Sequence, residues 1–175
     1  MSRGLGDVYK RQEHIRVWYQ DFLGIRPALL KGVININPRI PSAIGSLRYS
    51  ELLGAGALEG AFEREKDCRL YEYRSEGLNA TLVFNIENYK EFSVPVTPQT
   101  IVRLKACADK LNVTVIDGNG RKTDTLVDID AAKVARQKAL DEYFRGTDFA
   151  VPSMRENLPS LSRYFDPPLD YSSVE

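Results

Sequence analysis

The apolar positions between residues 15 and 23 repeat with the period of an α-helix. They are Ile15, Trp18, Tyr19, Phe22 and Leu23. Their spacing places all five on one face of a helix, and Gly24 can end that helix in the left-handed conformation. The pattern predicts a helix near 13–24 that packs Trp18 against the rest of the protein.

Two later segments carry signals for the start of a helix. Ser50 is a suitable N-cap for a helix over 51–66, although three glycines in that range weaken it by about 1 kcal/mol each relative to alanine. Thr97 and Pro98 supply a capping hydroxyl and a proline at the first helical position, which predicts a second helix over 98–111. The buried face of that second helix would hold Ile101, Leu104, Cys107, Ala108 and Leu111.

Short apolar runs and alternating patterns predict the strands. They lie at 32–36, 68–74, 79–86 and 91–96, with a further pair around 113–115 and 124–127. The connections between the three middle strands are short enough for antiparallel hairpins. A turn with the sequence Asp-Gly-Asn-Gly joins the last pair.

A last helix is predicted over 131–145, with Asp128 or Asp130 as its N-cap and Gly146 at its end. Its inward face would hold Ala135, Ala139, Leu140, Tyr143 and Phe144. The following residues, 147–175, carry four of the nine prolines, and their apolar positions follow neither helical nor strand period. They are predicted to form an extended arm that wraps the domain or docks on a partner.

Together these elements predict an α+β fold. An antiparallel or mixed sheet of about five strands would be packed by two or three helices, near 13–24, 98–111 and 131–145, and followed by the extended C-terminal arm. Residues 13–146 would form a single α+β domain, with its core in 68–146.

The first twelve residues change where the biological sequence is expected to begin. The codons of a tagmentation sequencing adaptor encode residues 2–12, SRGLGDVYKRQ, in order. Residues 1–12 are therefore interpreted as an artefact of assembled shotgun DNA from an uncultured microbe or its phage. The other 163 of the 175 residues suit one domain and hold 21 of the 24 basic and 23 of the 24 acidic side chains. This balance gives no overall attraction to nucleic acid.

The cysteine and histidine content limits the chemistry. Cys68 lies in a predicted strand and Cys107 in a predicted helix, and both are expected to be buried free thiols in a reducing cytoplasm. The single histidine, His14, gives little basis for zinc binding or histidine-based catalysis. The apolar runs are too short to span a membrane. The protein is expected to be cytoplasmic, without a membrane partner.

Four aspartates between positions 117 and 130 form the densest charged cluster. Carboxylate oxygens at the ends of adjacent strands can bind Mg²⁺ or Mn²⁺. This candidate metal site comprises Asp117, Asp124, Asp128 and Asp130. The structural alternative assigns Asp117 to the turn and Asp128 or Asp130 to the cap of the last helix.

Basic and aromatic side chains are interleaved in the predicted strand 68–74. Sheets that bind single-stranded nucleic acid commonly stack bases on aromatic rings while cations contact phosphates. The candidate nucleic-acid site comprises Arg69, Tyr71, Tyr73 and Arg74. Five acidic residues between 63 and 76 offset most of the charge, so the alternative is an ordinary solvated strand face.

The chain offers no convincing catalytic set, and the leading hypothesis is a non-catalytic binding or assembly protein of microbial or phage origin. Its arm would contact a protein partner or a second copy of the chain, without a cofactor. The candidate contact residues are Phe149, Leu161, Tyr164 and Phe165. One alternative is a phosphoester hydrolase or nuclease that uses Mg²⁺ or Mn²⁺ at the aspartate cluster. A second alternative is a nucleic-acid-binding module.

Overall fold

A computed structural model describes residues 16–146 of the chain, with side chains up to residue 143. The strands in this range are β1 (Ile25–Ala28), β2 (Val33–Ile36), β3 (Ser46–Leu53), β4 (Gly56–Glu65), β5 (Cys68–Glu76), β6 (Ala80–Phe84), β7 (Phe92–Val96), β8 (Ile101–Cys107), β9 (Leu111–Ile116) and β10 (Lys122–Val127). The α-helix is α1 (Ala131–Gly146). A π-helical turn, Val17–Phe22, precedes β1, and a 3-10 turn, Leu29–Lys31, joins β1 to β2.

The prediction of an α+β fold is wrong. The described part of the chain is mostly β, with ten strands in two sheets and a single α-helix. A six-stranded sheet has the order β10-β9-β8-β5-β4-β3, and all its neighbours are antiparallel. A four-stranded sheet has the order β1-β2-β6-β7, with β2 and β6 parallel. The chain passes between the sheets after β2, β5 and β7.

Alternate side chains of both sheets form one buried core. The six-stranded sheet contributes Leu58, Phe62, Tyr71, Tyr73, Val102 and Leu104, among others. The four-stranded sheet contributes Ile25, Ile34, Ile36, Leu82 and Phe84, among others. The two sheets therefore pack face to face as a sandwich. We call the core-lining face of the six-stranded sheet its inner face and the opposite one its outer face.

The predicted helix over 51–66 is wrong, because this segment forms the β3–β4 hairpin. The two turn residues are Gly54 and Ala55, and Gly54 has a φ of 67°. Glycine adopts this conformation without steric cost, and two-residue hairpin turns require it. Leu58 is buried while its neighbour Glu59 is exposed, which is the period of a strand.

The predicted helix over 98–111 is also wrong, because the central half of this segment forms strand β8. Thr97 and Thr100 form a turn in place of the predicted start of a helix. The backbone N–H of Thr97 donates a hydrogen bond to Thr100 Oγ1 over 3.1 Å. The backbone N–H of Thr100 in turn donates to the Thr97 carbonyl oxygen. Beyond this turn Leu104 is buried and Arg103 is exposed. The apolar positions thus fit a strand as well as a helix, and packing against β5 and β9 selects the strand.

The predicted helix near 13–24 is reduced, in the described residues, to the π-helical turn. Trp18 is half-exposed, with its ring 5.1 Å from that of Phe22, and so is not packed against the core as expected. Gly24 ends the turn with a φ of 69°, as predicted.

Helix α1 has nearly the predicted bounds. Asp130 caps it, since its Oδ1 accepts hydrogen bonds from the backbone N–H groups of Ala132 and Lys133. The expected inward face is wrong: Ala135, Ala139, Leu140 and Tyr143 are exposed, and the Phe144 side chain lies outside the described residues. A boundary between two compact units falls after Ala135. The predicted arm, 147–175, and the adaptor segment, 1–12, also lie outside the described residues.

The two cysteines form a disulfide, so the prediction of free thiols is wrong. Cys68 begins β5 and Cys107 ends β8, at directly opposite positions with a Cα–Cα distance of 4.2 Å. The mistaken helix over 98–111 concealed this pairing, because only a strand places Cys107 opposite β5. The bond cross-links the two central strands of the six-stranded sheet.

Candidate functional site

A groove of about 1340 Å³ runs across the outer face of the six-stranded sheet. It crosses β3, β4, β5, β8 and β9, and its polar lining alternates along each strand with the core residues of the inner face. Its principal charged residues are Arg48, Glu59, Glu72, Arg74, Arg103 and Lys105. Because strands lie about 4.8 Å apart, the groove is about 20 Å wide across five strands.

Cross-strand ion pairs order the lining of this groove. Glu72 and Arg103 are directly opposite on β5 and β8, and Arg103 Nε donates to Glu72 Oε2 over 2.7 Å. Arg74 Nη2 lies 3.9 Å from the other oxygen of the same carboxylate. Lys105 pairs with Glu65 at 3.4 Å. These contacts place cationic and carboxylate groups side by side on a surface that faces solvent.

Tyr49, Phe62 and Tyr71 also border the groove. Their positions alternate with those of the charged residues, so their rings point to the inner face. Phe62 and Tyr71 lie on the inner face, 3% and 4% exposed, with their ring centroids 5.2 Å apart. Leu70 and Ala61 are the apolar side chains that the outer face contributes to the lining. The groove is therefore a hydrogen-bonding surface that lacks an exposed ring for stacking in the described residues.

A close contact on the inner face secures β3, which forms one side of the groove. A Cβ atom at Gly60 would lie 2.0 Å from Cζ of Tyr49, so only glycine leaves room for this ring. Tyr49 and Tyr73 share a side-chain hydrogen bond, and burial raises the pKa of both phenols. The edge strand is thereby packed tightly on its neighbour.

The four candidate metal ligands do not come together. Asp117 Oδ1 accepts hydrogen bonds from the backbone N–H groups of Asn119 and Arg121, each 2.9 Å long, and Asp130 caps α1. Asp128 pairs with Lys90 at 3.1 Å. No group of three or more metal-ligating side chains occurs in the described range 16–146.

Asp124, the remaining member of that set, lies on the outer face of β10. It accepts a hydrogen bond of 2.5 Å from the Thr114 hydroxyl and pairs with Lys122 at 3.0 Å. Both contacts lower the pKa of its carboxyl, the Thr114 hydrogen bond most. Its oxygens are thus engaged by protein groups of the same sheet.

The four candidate nucleic-acid residues do not share one exposed surface. Tyr71 and Tyr73 are core residues, at 4% and 2% exposure. Arg69 lies on their side of β5, next to Glu87, with which it forms an ion pair. Arg74 lies on the outer face, in the groove. The candidate partner-binding residues of the arm (Phe149, Leu161, Tyr164 and Phe165) lie outside the described residues.

The sequence interpretation missed most of the groove. Arg103 and Lys105 were not singled out, because β8 was predicted as a helix. Glu72, on the correctly predicted strand β5, was counted only among the acidic residues that offset the basic charge. The available signal was the alternation of charged and apolar residues over 101–106, which has period two.

The fold and the groove define a two-sheet β-sandwich with a polar groove on the outer face of its larger sheet. Comparisons with protein-family models, curated proteins and solved structures find no significant match to the chain. In the described residues, no helix is long and apolar enough to cross a membrane.

Proposed function

We propose that the protein is a non-catalytic binding module that holds a neutral, hydroxyl-rich chain, such as a polysaccharide, in the outer-face groove. The observation that carries this proposal is the group of forked side chains that meet at Glu72, namely Arg103 and Arg74. Guanidinium and carboxylate groups each offer two neighbouring hydrogen-bonding atoms. Such pairs match the neighbouring hydroxyl groups of a sugar ring.

The charge of the lining supports a neutral ligand. The basic residues in it are Arg48, Arg74, Arg103 and Lys105, and the acidic ones are Glu59, Glu63 and Glu72. A polyanion such as nucleic acid is bound by a clear excess of positive charge and by rings on which bases stack. A protein partner is usually anchored by buried aromatic or aliphatic side chains. Neither feature characterises this groove.

Affinity electrophoresis through gels that contain soluble neutral polysaccharides tests the proposal, with single-stranded DNA as the comparison ligand. We expect retardation by at least one neutral polysaccharide, with no shortening of the polymer, and no binding to DNA. Failure to bind any polysaccharide of the set, or tighter binding to DNA, would contradict the proposal. Shortening of the polymer would contradict the non-catalytic part.

A matched pair of variants locates the binding site. Arg103→Met removes a guanidinium from the groove while keeping an unbranched apolar side chain, and we expect about tenfold weaker binding, as for the loss of one hydrogen bond to a charged group. Lys90→Met removes a cation from an exposed ion pair with Asp128 outside the groove. Equal losses for both variants would argue against the groove.

The disulfide bears on where the protein acts. Structural disulfides persist in oxidising compartments and are rare in the reducing cytoplasm. We therefore propose an extracytoplasmic location in a microbe, in place of the cytoplasmic one that free thiols had indicated. The complete gene should then encode a secretion signal, and a gene without one would count against this location.

A further inference from the structure

The groove is longer across the strands than along them. Its lining includes residues of five neighbouring strands, which together span about 20 Å. Along a single strand the lining extends furthest on β4, over residues 59–63, and on β5, over residues 70–74. Five residues of one strand cover only about 13 Å. The long axis of the groove is therefore perpendicular to the strands.

The strand register aligns one outer-face residue of each strand along this axis. The directly opposite residues that form this row are Arg48, Ala61, Glu72, Arg103 and Thr114, and all of them line the groove. Because neighbouring strands lie about 4.8 Å apart, the row repeats at close to the length of one sugar unit in an extended chain. A polysaccharide that lies along the row would therefore place about one sugar unit over each strand.

The side chains at the centre of the groove are paired with one another, whereas several on either side of the centre are not. Glu72 on β5 and Arg103 on β8 form the central ion pair. Arg48 on β3, Glu63 on β4 and Asn112 on β9 line the groove without a hydrogen bond or ion pair to another described residue. A ligand competes with an existing contact at the centre, but at the unpaired side chains it replaces only water. Groups that are free to bind a ligand are thus present towards both ends of the groove.

The unpaired side chains of the two outermost strands of the groove set the length of the bound segment. Arg48 and Asn112 are separated by four strand spacings, or about 20 Å. We propose that the ligand chain lies across the strands and contacts both side chains at once, so that the site binds about five consecutive sugar units. This inference rests on the proposed function and adds the direction and the length of the bound segment. A chain that followed the strands would reach at most one of the two side chains.

Isothermal titration calorimetry of the full chain with oligosaccharides of increasing length tests the span. The probes are prepared from the neutral polysaccharide that retards the protein in the gel, such as a glucan, a xylan or a mannan. We expect the affinity to rise with length up to about five units and then to stay constant. An affinity that stops rising at about two units would overturn the span and leave the proposed function intact. The absence of binding to every polysaccharide would contradict both.

Variants at the two ends of the groove test the direction of the ligand. Arg48→Met and Asn112→Ala each remove one unpaired polar group from an exposed position. We expect about tenfold weaker binding of a five-unit probe for the first variant and about fivefold weaker binding for the second. The double variant should lose about fiftyfold, because effects at sites more than about 10 Å apart are independent.

The matched control for Arg48→Met is Arg26→Met. Arg26 is exposed on the four-stranded sheet, outside the groove, so this variant loses a guanidinium and should bind the probe as the parent protein does. If either Arg48→Met or Asn112→Ala bound the five-unit probe with unchanged affinity, the ligand would not span the groove, and the proposal would be overturned. A loss for Arg26→Met equal to that for Arg48→Met would also contradict it, since the effect would then not come from the groove.

Discussion

The two faces of the six-stranded sheet are built from alternate residues of the same strands, and they differ in what they contribute. On β8, Val102 and Leu104 are at most 1% exposed, while Arg103 and Lys105 are about half-exposed. Full burial of one such apolar side chain stabilises the fold by about 1.5–3 kcal/mol. An exposed ion pair contributes about 0–1 kcal/mol. Stability therefore resides on the inner face, which leaves the outer face free to serve recognition.

The edge strand β3 departs from this division. Glu51 points to the inner side, where its Oε2 finds no hydrogen-bond partner among the described residues, and Leu52 is 84% exposed on the outer face. On the central strands the inner-face residues are mostly apolar and the outer-face residues are mostly charged, so Glu51 and Leu52 each have the opposite polarity. The contrast between the faces is thus strongest at the centre of the sheet and weakest at its edge.

The largest expected effect comes from truncating an inner-face residue. Truncation of its outer-face neighbour on the same strand provides the comparison. Phe62→Ala removes a ring that is 3% exposed and contacts Tyr71, and we expect the free energy of unfolding to fall by about 3–5 kcal/mol. Glu63→Ala, one residue later on the outer face, should change it by less than about 0.5 kcal/mol. Denaturant titration measures both, and similar losses would refute the division between the faces.

A pH titration of stability tests the effect of the Glu51 carboxyl on β3. Burial raises the pKa of the Glu51 carboxyl to about 7, from an ordinary value of 4.5. A folded-state pKa above the unfolded-state value means that the folded protein binds more protons, so stability falls as pH rises from about 4.5 to about 7. Glu51 is partly exposed, and solvent screening reduces the loss to about 1–2 kcal/mol.

Glu51→Gln is the matched control for this titration. The amide has nearly the same shape and no charge, so the variant should equal the parent protein near pH 4 and exceed its stability above pH 7. Identical pH profiles of the two proteins, followed by chemical denaturation, would show that Glu51 does not cause the change.

The smallest expected effect concerns the outer face alone. A double-mutant cycle with Glu72→Ala and Arg103→Ala should give a coupling energy of about 0.2–1 kcal/mol, since the pair is exposed although its contact is short. The coupling should decrease at high salt. The same cycle on Glu65 and Lys105, which are 3.4 Å apart, should give a smaller value. A coupling above about 2 kcal/mol would assign structural importance to the outer face.

Sequence patterns located the strands whose ends are marked by turns. Strands β5, β6 and β7 lie within two residues of the predicted ranges, and the turn after Asp117 and the bounds of α1 also agree. In each of these cases a local signal, such as an Asp-Gly turn or an aspartate cap, acts within the segment itself.

The sequence led to a wrong prediction where the pairing with neighbouring strands decides between the helical and the strand period. The apolar residues Leu104, Cys107 and Leu111 fit a helical face, but Val102, Leu104 and Ala106 also alternate as in a strand. Only the neighbouring strands β5 and β9 select the second pattern. Because Arg103 and Lys105 lie on the outer face of β8, this error in period removed both from the candidate site.

The disulfide between β5 and β8 also determines what a cut in the chain would do. Its two cysteines are 39 positions apart, and the chain between them leaves the six-stranded sheet, forms β6 and β7 and then returns. A protease that cleaves the connection between β6 and β7 would therefore produce two fragments that stay covalently attached. The nicked protein would migrate as one band without reductant and as two with it, so damage at this connection leaves the molecule in one piece.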